Sequence, residues 1–243
     1  MPDNDLNAMS RPQTTRLRRR IANLVIKGCG LRKLHNTNAQ NLIRSVLDEV
    51  DLQHFRDTQP CSSFNHREEM YQYLHETFLL GEAIDYLEFG VFRGESLLCW
   101  AGLNKHKDSR FYGFDSFEGL PEDWRKGQGK GHFDVKGNMP QINDYRVTFV
   151  KGWFDHTVPS FAREFVSKGQ VVMHLDADLY GSTMLPLLHF GPAMSKGTLL
   201  IFDEFYDREH EFKALMDWQK IYRKPFRIVA EVENYSKVCA QLI

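Results

Sequence analysis

The sequence lacks the defining features of several large protein classes. Its 243 residues contain four cysteines, without a Cys-x-x-Cys pair or the density of a disulfide-stapled domain. We therefore expect reduced thiols in a cytoplasmic protein. No apolar run is long enough to span a membrane, so we expect no transmembrane segment. The formal net charge of −1 gives no bulk attraction to nucleic acid, and we expect no nucleic-acid partner.

Two common phosphate-binding loops are also missing. The chain has neither a Gly-x-x-x-x-Gly-Lys-Ser/Thr loop nor a Gly-x-Gly-x-x-Gly dinucleotide fingerprint. It has instead Glu88-x-Gly90-x-x-x-Gly94-x-Ser96, which follows one short apolar strand, and Asp115, which ends the next. This pattern is typical of a nucleoside cofactor whose ribose hydroxyls donate hydrogen bonds to the second acid. Because Glu88 repels a pyrophosphate and suits a cationic ligand, we predict S-adenosylmethionine. The alternative is that the glycines only make a tight turn.

Carboxylates also follow two later apolar strands. Asp176 and Asp178 come after the first of these strands, and Asp203 and Glu204 come after the second. Since the carboxyl ends of parallel strands meet at one edge of a sheet, we expect these groups to lie close together. Carboxylates at short distance repel one another, and a divalent cation with hard oxygen ligands, Mg²⁺ rather than zinc, relieves that repulsion. The alternative is a set of helix caps and surface acids.

Four segments of the chain resemble the macrocin O-methyltransferase family. They are GFDSFEGLPE (113–122), KGWFDHTVP (151–159), LDADLYGST (175–183) and IFDEF (201–205). The resemblance covers about 83–206, with the four motifs in the family's order. It implies a class I, S-adenosylmethionine-dependent enzyme that methylates a sugar hydroxyl. The implied fold is a Rossmann-like, doubly wound α/β sheet, mostly parallel, with an antiparallel C-terminal strand.

The resemblance also implies roles for individual residues. The implied cofactor-binding residues are Glu88, Gly90, Phe92, Arg93, Gly94, Ser96, Asp115, Ser116, Gly152, Trp153 and Phe154. Within this set Asp115 would hold the ribose, and Gly152, Trp153 and Phe154 would surround the adenine.

The same resemblance implies a metal site and a base. Asp176, Asp203 and Glu204 would be the Mg²⁺ ligands, and Asp178 the general base. The family usually carries two aspartates where this chain has Asp203-Glu204. Because glutamate is one methylene longer, Glu204 would reach the metal differently or through water.

The predicted reaction is methyl transfer to a small hydroxylated acceptor, a sugar or another natural product. An aliphatic hydroxyl is a poor nucleophile until it loses its proton, which Asp178 would accept and Mg²⁺ would help to release. A catechol-like aromatic diol is an alternative acceptor, because the same metal chemistry serves any vicinal diol. A non-catalytic cofactor-binding protein of the same fold is a further alternative. A metal-using hydroxylase is the least favoured, since no two-His-one-carboxylate spacing is present.

We divide the chain into a basic tail and helical extension, 1–80, and a methyltransferase domain, 81–243. Residues 16–34 are basic and partly amphipathic. This segment could touch an anionic membrane surface weakly, or dock on the domain or on a second copy in a homodimer. Helical periods are predicted over 39–55 and after a capping box at Asn65-x-x-Glu68.

Strands and helices then alternate, which predicts a parallel sheet covered by helices on both faces. His174 falls on one of these strands and is expected in the core, because both faces of such a strand are covered. The ten histidines show no metal-ligand spacing. The residues 233–236 predict a closing hairpin.

The segment 116–145 is rich in Gly, Lys and Asp and is too long for a plain connection. It is either a lid over the site or a solvated surface insertion. If the segment is a lid, Trp124 and Phe133 would close over a sugar or aromatic ring of the ligand. Its three lysines would contact an anionic group of the ligand: Lys126, Lys130 and Lys136.

Overall fold

The computed structural model describes residues 61–243. The predictions for the segments 16–34 and 39–55 lie outside the described residues. The described elements are, in chain order, β1 Ser62–Phe64, α1 Arg67–Leu74, a π-helical turn His75–Leu79, β2 Ile84–Phe89, α2 Glu95–Leu103, β3 Arg110–Asp115, β4 Val147–Lys151, α3 Phe154–Glu164, β5 Gln170–Leu175, α4 Tyr180–Phe190, β6 Leu199–Phe202, α5 Glu211–Tyr222, β7 Phe226–Val232 and β8 Lys237–Leu242. Over 61–243, none of the helices combines the length and apolar character that crossing a membrane requires.

The described strands form one eight-stranded sheet in the order β1-β7-β8-β6-β5-β2-β3-β4. β8 runs antiparallel to both of its neighbours, and every other pair is parallel. The predicted fold, a doubly wound and mostly parallel sheet with an antiparallel C-terminal strand, is confirmed. The chain winds outward from β2 through β3 to β4, then returns to β5 on the other side of β2. Ligands bind at such a reversal, outside the carboxyl ends of the strands.

The predicted alternation of strands and helices is confirmed, with shifted boundaries. α3 begins at Phe154 and carries Pro159 inside the helix. β1 was not predicted, because three residues are too few to show a period. The hairpin is confirmed: β7 and β8 pair antiparallel, and the Ser236 N–H donates to the Val232 carbonyl at 3.0 Å.

The helix α1, which follows β1, starts one residue later than predicted. His66 is the N-cap, and the Glu69 carboxylate accepts hydrogen bonds from the backbone N–H groups of Asn65 and His66 at 3.2 Å each. The capping box predicted at Asn65 and Glu68 was therefore wrong by one position. Met70 and Leu74 of this helix are buried, as expected from their period.

A compact unit runs from Pro60 to Ile243 and includes β1 and α1. The sequence analysis placed these two elements in the extension 1–80. The apolar residues of β1 and α1 pack into the sheet core with Trp100 and Tyr86, so these two elements belong to the same compact unit as the sheet.

Asp85 fixes the amino-terminal end of β2. Its buried carboxylate accepts hydrogen bonds from Arg110 Nε at 2.6 Å and from the backbone N–H groups of Lys168 and Gly169 at 2.7 and 3.1 Å. Burial alone would raise the pKa of Asp85, but these donors outweigh it and hold the pKa below its ordinary value. One carboxylate thus ties β2 to β3 and to the turn that leads into β5.

Gly90 lets the turn after β2 touch the end of β5. Its φ is +92°, and a Cβ built on it would lie 1.7 Å from the Asp176 carbonyl oxygen. The Gly90 N–H donates to the Phe114 carbonyl, and the Asp176 N–H donates to the Phe89 carbonyl, both at 3.0 Å. A side chain at Gly90 would have to separate two backbones that these bonds hold together.

We expect Asp85→Asn to lower the free energy of unfolding by about 2–3 kcal/mol at pH 7, because Arg110 loses its partner. A depressed folded pKa means that the contribution of Asp85 is present above its unfolded pKa of about 3.9 and is lost as pH falls through the folded value. The difference in the free energy of unfolding between the wild type and Asp85→Asn should therefore shrink at low pH. Urea unfolding at pH 7 and at low pH measures both effects. Asp108→Asn, on a carboxylate whose side chain is 68% exposed, is the matched control. A stability difference that does not change with pH would contradict this account.

We expect Gly90→Ala to lower the free energy of unfolding by about 3 kcal/mol, since the added methyl meets backbone in a left-handed conformation. Gly102→Ala is the matched control, because Gly102 lies in α2 with nothing within 4 Å of its added Cβ. That control should gain about 0.5–1 kcal/mol from better helix propensity. Equal stability of the two variants in urea unfolding would show that the close approach at Gly90 is not needed.

Candidate active site

A cavity of about 600 Å³ opens at the carboxyl ends of β2, β3, β5 and β6. This volume lies within the usual range for sites that enclose a drug-sized ligand. Its position is the edge of the sheet where the strand order reverses, as expected for this fold.

Six of the predicted cofactor residues line this cavity: Gly90, Phe92, Asp115, Ser116, Trp153 and Phe154. The other five support the cavity wall from outside the lining. Gly94 is the N-cap of α2 with a φ of +78°, and Ser96 is buried with its hydroxyl 3.4 Å from the Tyr71 hydroxyl. The Arg93 guanidinium lies 4.9 Å from the centre of the Phe92 ring. Gly152 precedes the lining residue Trp153, and Glu88 is buried behind the wall.

Asp115 ties the glycine turn to the end of β3. One carboxylate oxygen accepts hydrogen bonds from the backbone N–H groups of Val91 and Phe92 at 2.8 Å each. The other accepts one from the Phe117 N–H at 2.7 Å. A carboxylate has about four acceptor positions, so capacity remains for a hydroxyl in the cavity.

Glu88 belongs to a buried hydrogen-bonded chain that crosses the sheet. The Tyr86 hydroxyl donates to Glu88 Oε2 at 2.5 Å and lies 2.8 Å from His174 Nδ1. His174 is fully buried, which confirms the expectation that it lies in the core. Burial disfavours the charged imidazole, but the carboxylates of Asp203 and Glu88 outweigh burial and raise the pKa of His174 to about 10. Glu88 is therefore one of the two counter-ions of a buried cation.

The four carboxylates that follow β5 and β6 all line the cavity. Asp176, Asp178, Asp203 and Glu204 are brought together at one edge of the sheet, as the strand-end argument requires. Among residues 61–243, one group offers metal-ligand atoms that all lie within 4.8 Å of each other, and it consists of His174, Asp176 and Asp203. Glu204 lines the same cavity but is not part of that group.

Asp203 lies between two cationic side chains. Lys237 Nζ is 2.6 Å from one carboxylate oxygen, and His174 Nε2 is 3.7 Å from the other, beyond hydrogen-bonding distance. Burial alone would raise the pKa of Asp203, but His174 and Lys237 outweigh it and lower the pKa. The pKa of Asp176 shifts in the opposite direction. Burial and the charge of Asp203 raise it well above the ordinary value.

Asp178 lines the cavity beside other carboxylates. Burial, then the charges of Glu204 and Asp203, raise the pKa of Asp178 to about 7. Its φ of +58° places it in the left-handed region that non-glycine residues rarely adopt. Such backbone strain occurs often at sites where a side chain must take one fixed direction.

The residues present fit a divalent cation. Burial and the charge of Asp203 disfavour the ionised form of Asp176, and Oδ1 of Asp203 makes no hydrogen bond, with His174 Nε2 at 3.7 Å. Hard oxygen ligands of this kind are those that Mg²⁺ takes in proteins. Lys237 and His174 supply positive charge behind Asp203 and would compete in part with the cation.

Sequence reasoning missed three residues of this site: Lys237, Tyr86 and Glu211. Glu211 is fully buried at the start of α5 and accepts a hydrogen bond from the Glu204 N–H at 2.8 Å, which fixes the backbone after β6. Lys237 comes from β8, and only the sheet order places it beside Asp203. No spacing along the chain signals these contacts.

The segment 116–145 lies against the cavity and contributes lining residues such as Leu120, Glu122 and Phe133. This placement favours a substrate loop over a surface insertion. Trp124 does not line the cavity, so the role expected for it was wrong. Its ring packs with Leu120 and Leu179, and its Nε1–H donates to Asp207 at 3.0 Å. The role expected for the segment's lysines stays a prediction; the three are exposed and outside the lining: Lys126, Lys130 and Lys136.

Known proteins resemble this chain over much of its described part. The family described as macrocin-O-methyltransferase (TylF) matches residues 76–240. The 8-demethyl-8-(2,3-dimethoxy-alpha-L-rhamnosyl)-tetracenomycin-C 4'-O-methyltransferase of Streptomyces olivaceus is 32% identical over 169 residues, 59% of this chain and 63% of that protein. The mycinamicin III 3''-O-methyltransferase of Micromonospora griseorubida is 31% identical over 147 residues, 50% of this chain and 55% of that protein. The matched segments thus span little more than half of the length of these relatives.

The solved structure of the O-methyltransferase NovP has the same fold. It is 21% identical, with a TM-score of 0.57, and the match covers 72% of this chain and 78% of that one. Because the family match extends over more than half of the sequence, this protein belongs to the TylF family of macrocin O-methyltransferases.

Proposed function

We propose that this protein is an S-adenosylmethionine-dependent O-methyltransferase that acts on a sugar or glycoside hydroxyl, with Mg²⁺ at its cluster of acids. The observation that carries the proposal is the position of Asp178. Its carboxylate lines the cavity next to Asp176 and Asp203, and its pKa of about 7 suits a base at neutral pH. The names of the two bacterial relatives specify hydroxyls on glycosylated natural products, which favours a sugar over a catechol.

The cofactor would lie across the reversal between β2 and β5. The remaining acceptor capacity of Asp115 suits a ribose hydroxyl, while Trp153 and Phe154 offer apolar surface for an adenine. Gly90, Phe92 and Ser116 would complete the wall on the side of the methionine and ribose. Glu88, Arg93, Gly94, Ser96 and Gly152 would act by holding the turns around it.

In the proposed methyl transfer, different residues act on the proton and on the metal. When bound, the cofactor supplies an electrophilic methyl group on a sulfonium. Asp178 accepts the proton of the acceptor hydroxyl as the new oxygen–carbon bond forms and the carbon–sulfur bond breaks, which leaves a methyl ether and S-adenosylhomocysteine. Asp176, Asp203 and Glu204 would hold Mg²⁺, which polarises a hydroxyl and lowers its pKa.

The proposed function also assigns a role to each part of the chain. We propose that residues 81–243 carry the cofactor, the metal and the base. Residues 1–80 form the extension, whose last elements, β1 and α1, pack with the sheet.

Calorimetric titration of S-adenosylhomocysteine into the full-length protein tests the cofactor. We expect micromolar affinity, about 8 kcal/mol, in Mg²⁺ and in chelator. A difference between the two buffers that Asp176→Asn abolishes would support a metal at that carboxylate. The absence of binding in both buffers would contradict the proposed function.

Asp178→Asn tests the base. Removing general-base help should lower kcat by about 10²–10⁴-fold, while the affinity for S-adenosylhomocysteine changes by no more than about twofold. Turnover of a rhamnosyl glycoside and calorimetry measure the two quantities. Asp108→Asn, at an exposed site, should leave both unchanged. If Asp178→Asn weakened cofactor binding as strongly as turnover, Asp178 would be a structural residue instead.

A further inference from the structure

One tryptophan of the segment 116–145 is buried, although the segment is rich in Gly, Lys and Asp. Trp124 is 9% exposed, whereas its neighbours Asp123 and Arg125 are exposed. A buried indole N–H usually finds a hydrogen-bond partner, and here Nε1–H donates to Asp207 Oδ2 at 3.0 Å. Trp124 therefore ties the segment to the loop that follows β6.

Arg125 makes a second tie to the same loop. Its guanidinium carbon lies 3.7 Å from the centre of the Trp124 ring, and Nη1 donates a hydrogen bond to the Tyr206 hydroxyl. A tight turn holds Arg125 in place, since the Gln128 N–H donates to the Arg125 carbonyl at 2.8 Å. We call Trp124, Arg125, Tyr206 and Asp207 the loop anchor.

The loop anchor lies next to the acids of the site. Tyr206 and Asp207 follow Glu204 closely in the chain, and the Asp207 N–H donates to the Glu204 carbonyl at 2.9 Å. Burial alone would lower the pKa of Arg125, but hydrogen-bonded and charged neighbours outweigh burial and raise the pKa. These neighbours are the Tyr206 hydroxyl and the carboxylates of Glu204 and Asp178. The guanidinium is thus close enough to both carboxylates to interact with their charge.

The loop anchor is also linked to the residue that follows the proposed base. Trp124 forms one buried apolar cluster with Leu120 and Leu179. Leu179 comes directly after Asp178 and is the N-cap of α4. Since Leu120 lines the cavity, this cluster joins a part of the cavity wall to the backbone that carries Asp178.

We propose that Trp124 and Arg125 are positioning residues for the methyl transfer, which fix the segment 116–145 beside the acids of the cavity. The inference rests on the proposed function and deepens it, because neither residue lines the cavity. The loop anchor holds a part of the wall closed and holds Leu179 beside Asp178. Without it, that wall would open to water, and the direction of the Asp178 side chain would be less fixed.

Limited proteolysis of the full-length protein with trypsin tests the loop anchor without turnover. We expect cleavage after Lys130 and Lys136 to be at least about 10-fold faster in Arg125→Gln than in the wild type, because the segment opens locally. Lys126→Gln removes the same charge from the next residue, which is exposed, and should be cleaved at the wild-type rate. Equal rates in the two variants, or an equal acceleration after Lys168 outside the segment, would overturn the inference.

A double-mutant cycle tests whether the hydrogen bond between Arg125 and Tyr206 is responsible. Arg125→Gln and Tyr206→Phe each remove one partner of that bond. The double variant should therefore be cleaved no more than about twofold faster than the faster single variant. Effects that multiply would show that the two side chains act separately, and would overturn the loop anchor.

Turnover separates a positioning role from a purely structural one. For a rhamnosyl glycoside, the kcat of Arg125→Gln should fall by about 10-fold, while the affinity for S-adenosylhomocysteine changes by no more than about threefold. Lys107→Gln, at an exposed position before the amino-terminal end of β3, should leave both unchanged. An unchanged kcat in a variant whose segment is cleaved faster would overturn the positioning role. Failure of S-adenosylhomocysteine to bind the wild type would instead remove the proposed function and leave the proteolysis result standing, so the two failures are distinguishable.

Discussion

The site depends on the contact between Gly90 and the backbone of Asp176. This contact holds the turn after β2 against the end of β5, with the Asp176 N–H bonded to the Phe89 carbonyl. It brings two parts of the wall of one cavity close together, one around Asp115 and one around Asp176. Because no side chain can fit at Gly90, the short distance between these two parts is set by backbone rather than by adjustable contacts.

Carboxylates held close together repel one another, and basic side chains behind the cavity wall reduce that repulsion. Burial, and after it the charges of neighbouring carboxylates, raise the pKa of Asp176 and of Asp178. The pKa of Asp203 is lowered instead, because the cationic side chains of His174 and Lys237 lie next to its carboxylate. His174 in turn lies 2.8 Å from the Tyr86 hydroxyl, which donates a hydrogen bond to Glu88. The pKa values of neighbouring acids are therefore shifted in opposite directions, down for Asp203 and up for Asp176 and Asp178.

The parts of this arrangement that follow local rules could be predicted from the sequence, and the rest could not. Acids placed directly after apolar strands had to meet at one edge, because parallel strands end together. The positions of Lys237 and Glu211 depend on the sheet order and on the angle of α5, which no period in the chain encodes. The role expected for Trp124 was wrong for a related reason. Its indole N–H needed a partner, and Asp207, distant in sequence, supplies one.

The distribution of charge also constrains how methyl transfer could work in this cavity. The sulfonium loses its positive charge as the methyl leaves, so carboxylates pressed against sulfur would favour the reactants over the transition state. On the cofactor wall, Asp115 is engaged by three backbone N–H groups. The carboxylates of Asp176, Asp178 and Glu204 lie instead after β5 and β6, where the proposed acceptor would enter. Negative charge that develops on an acceptor oxygen there would be repelled by them, which is the physical reason for a cation in the proposal.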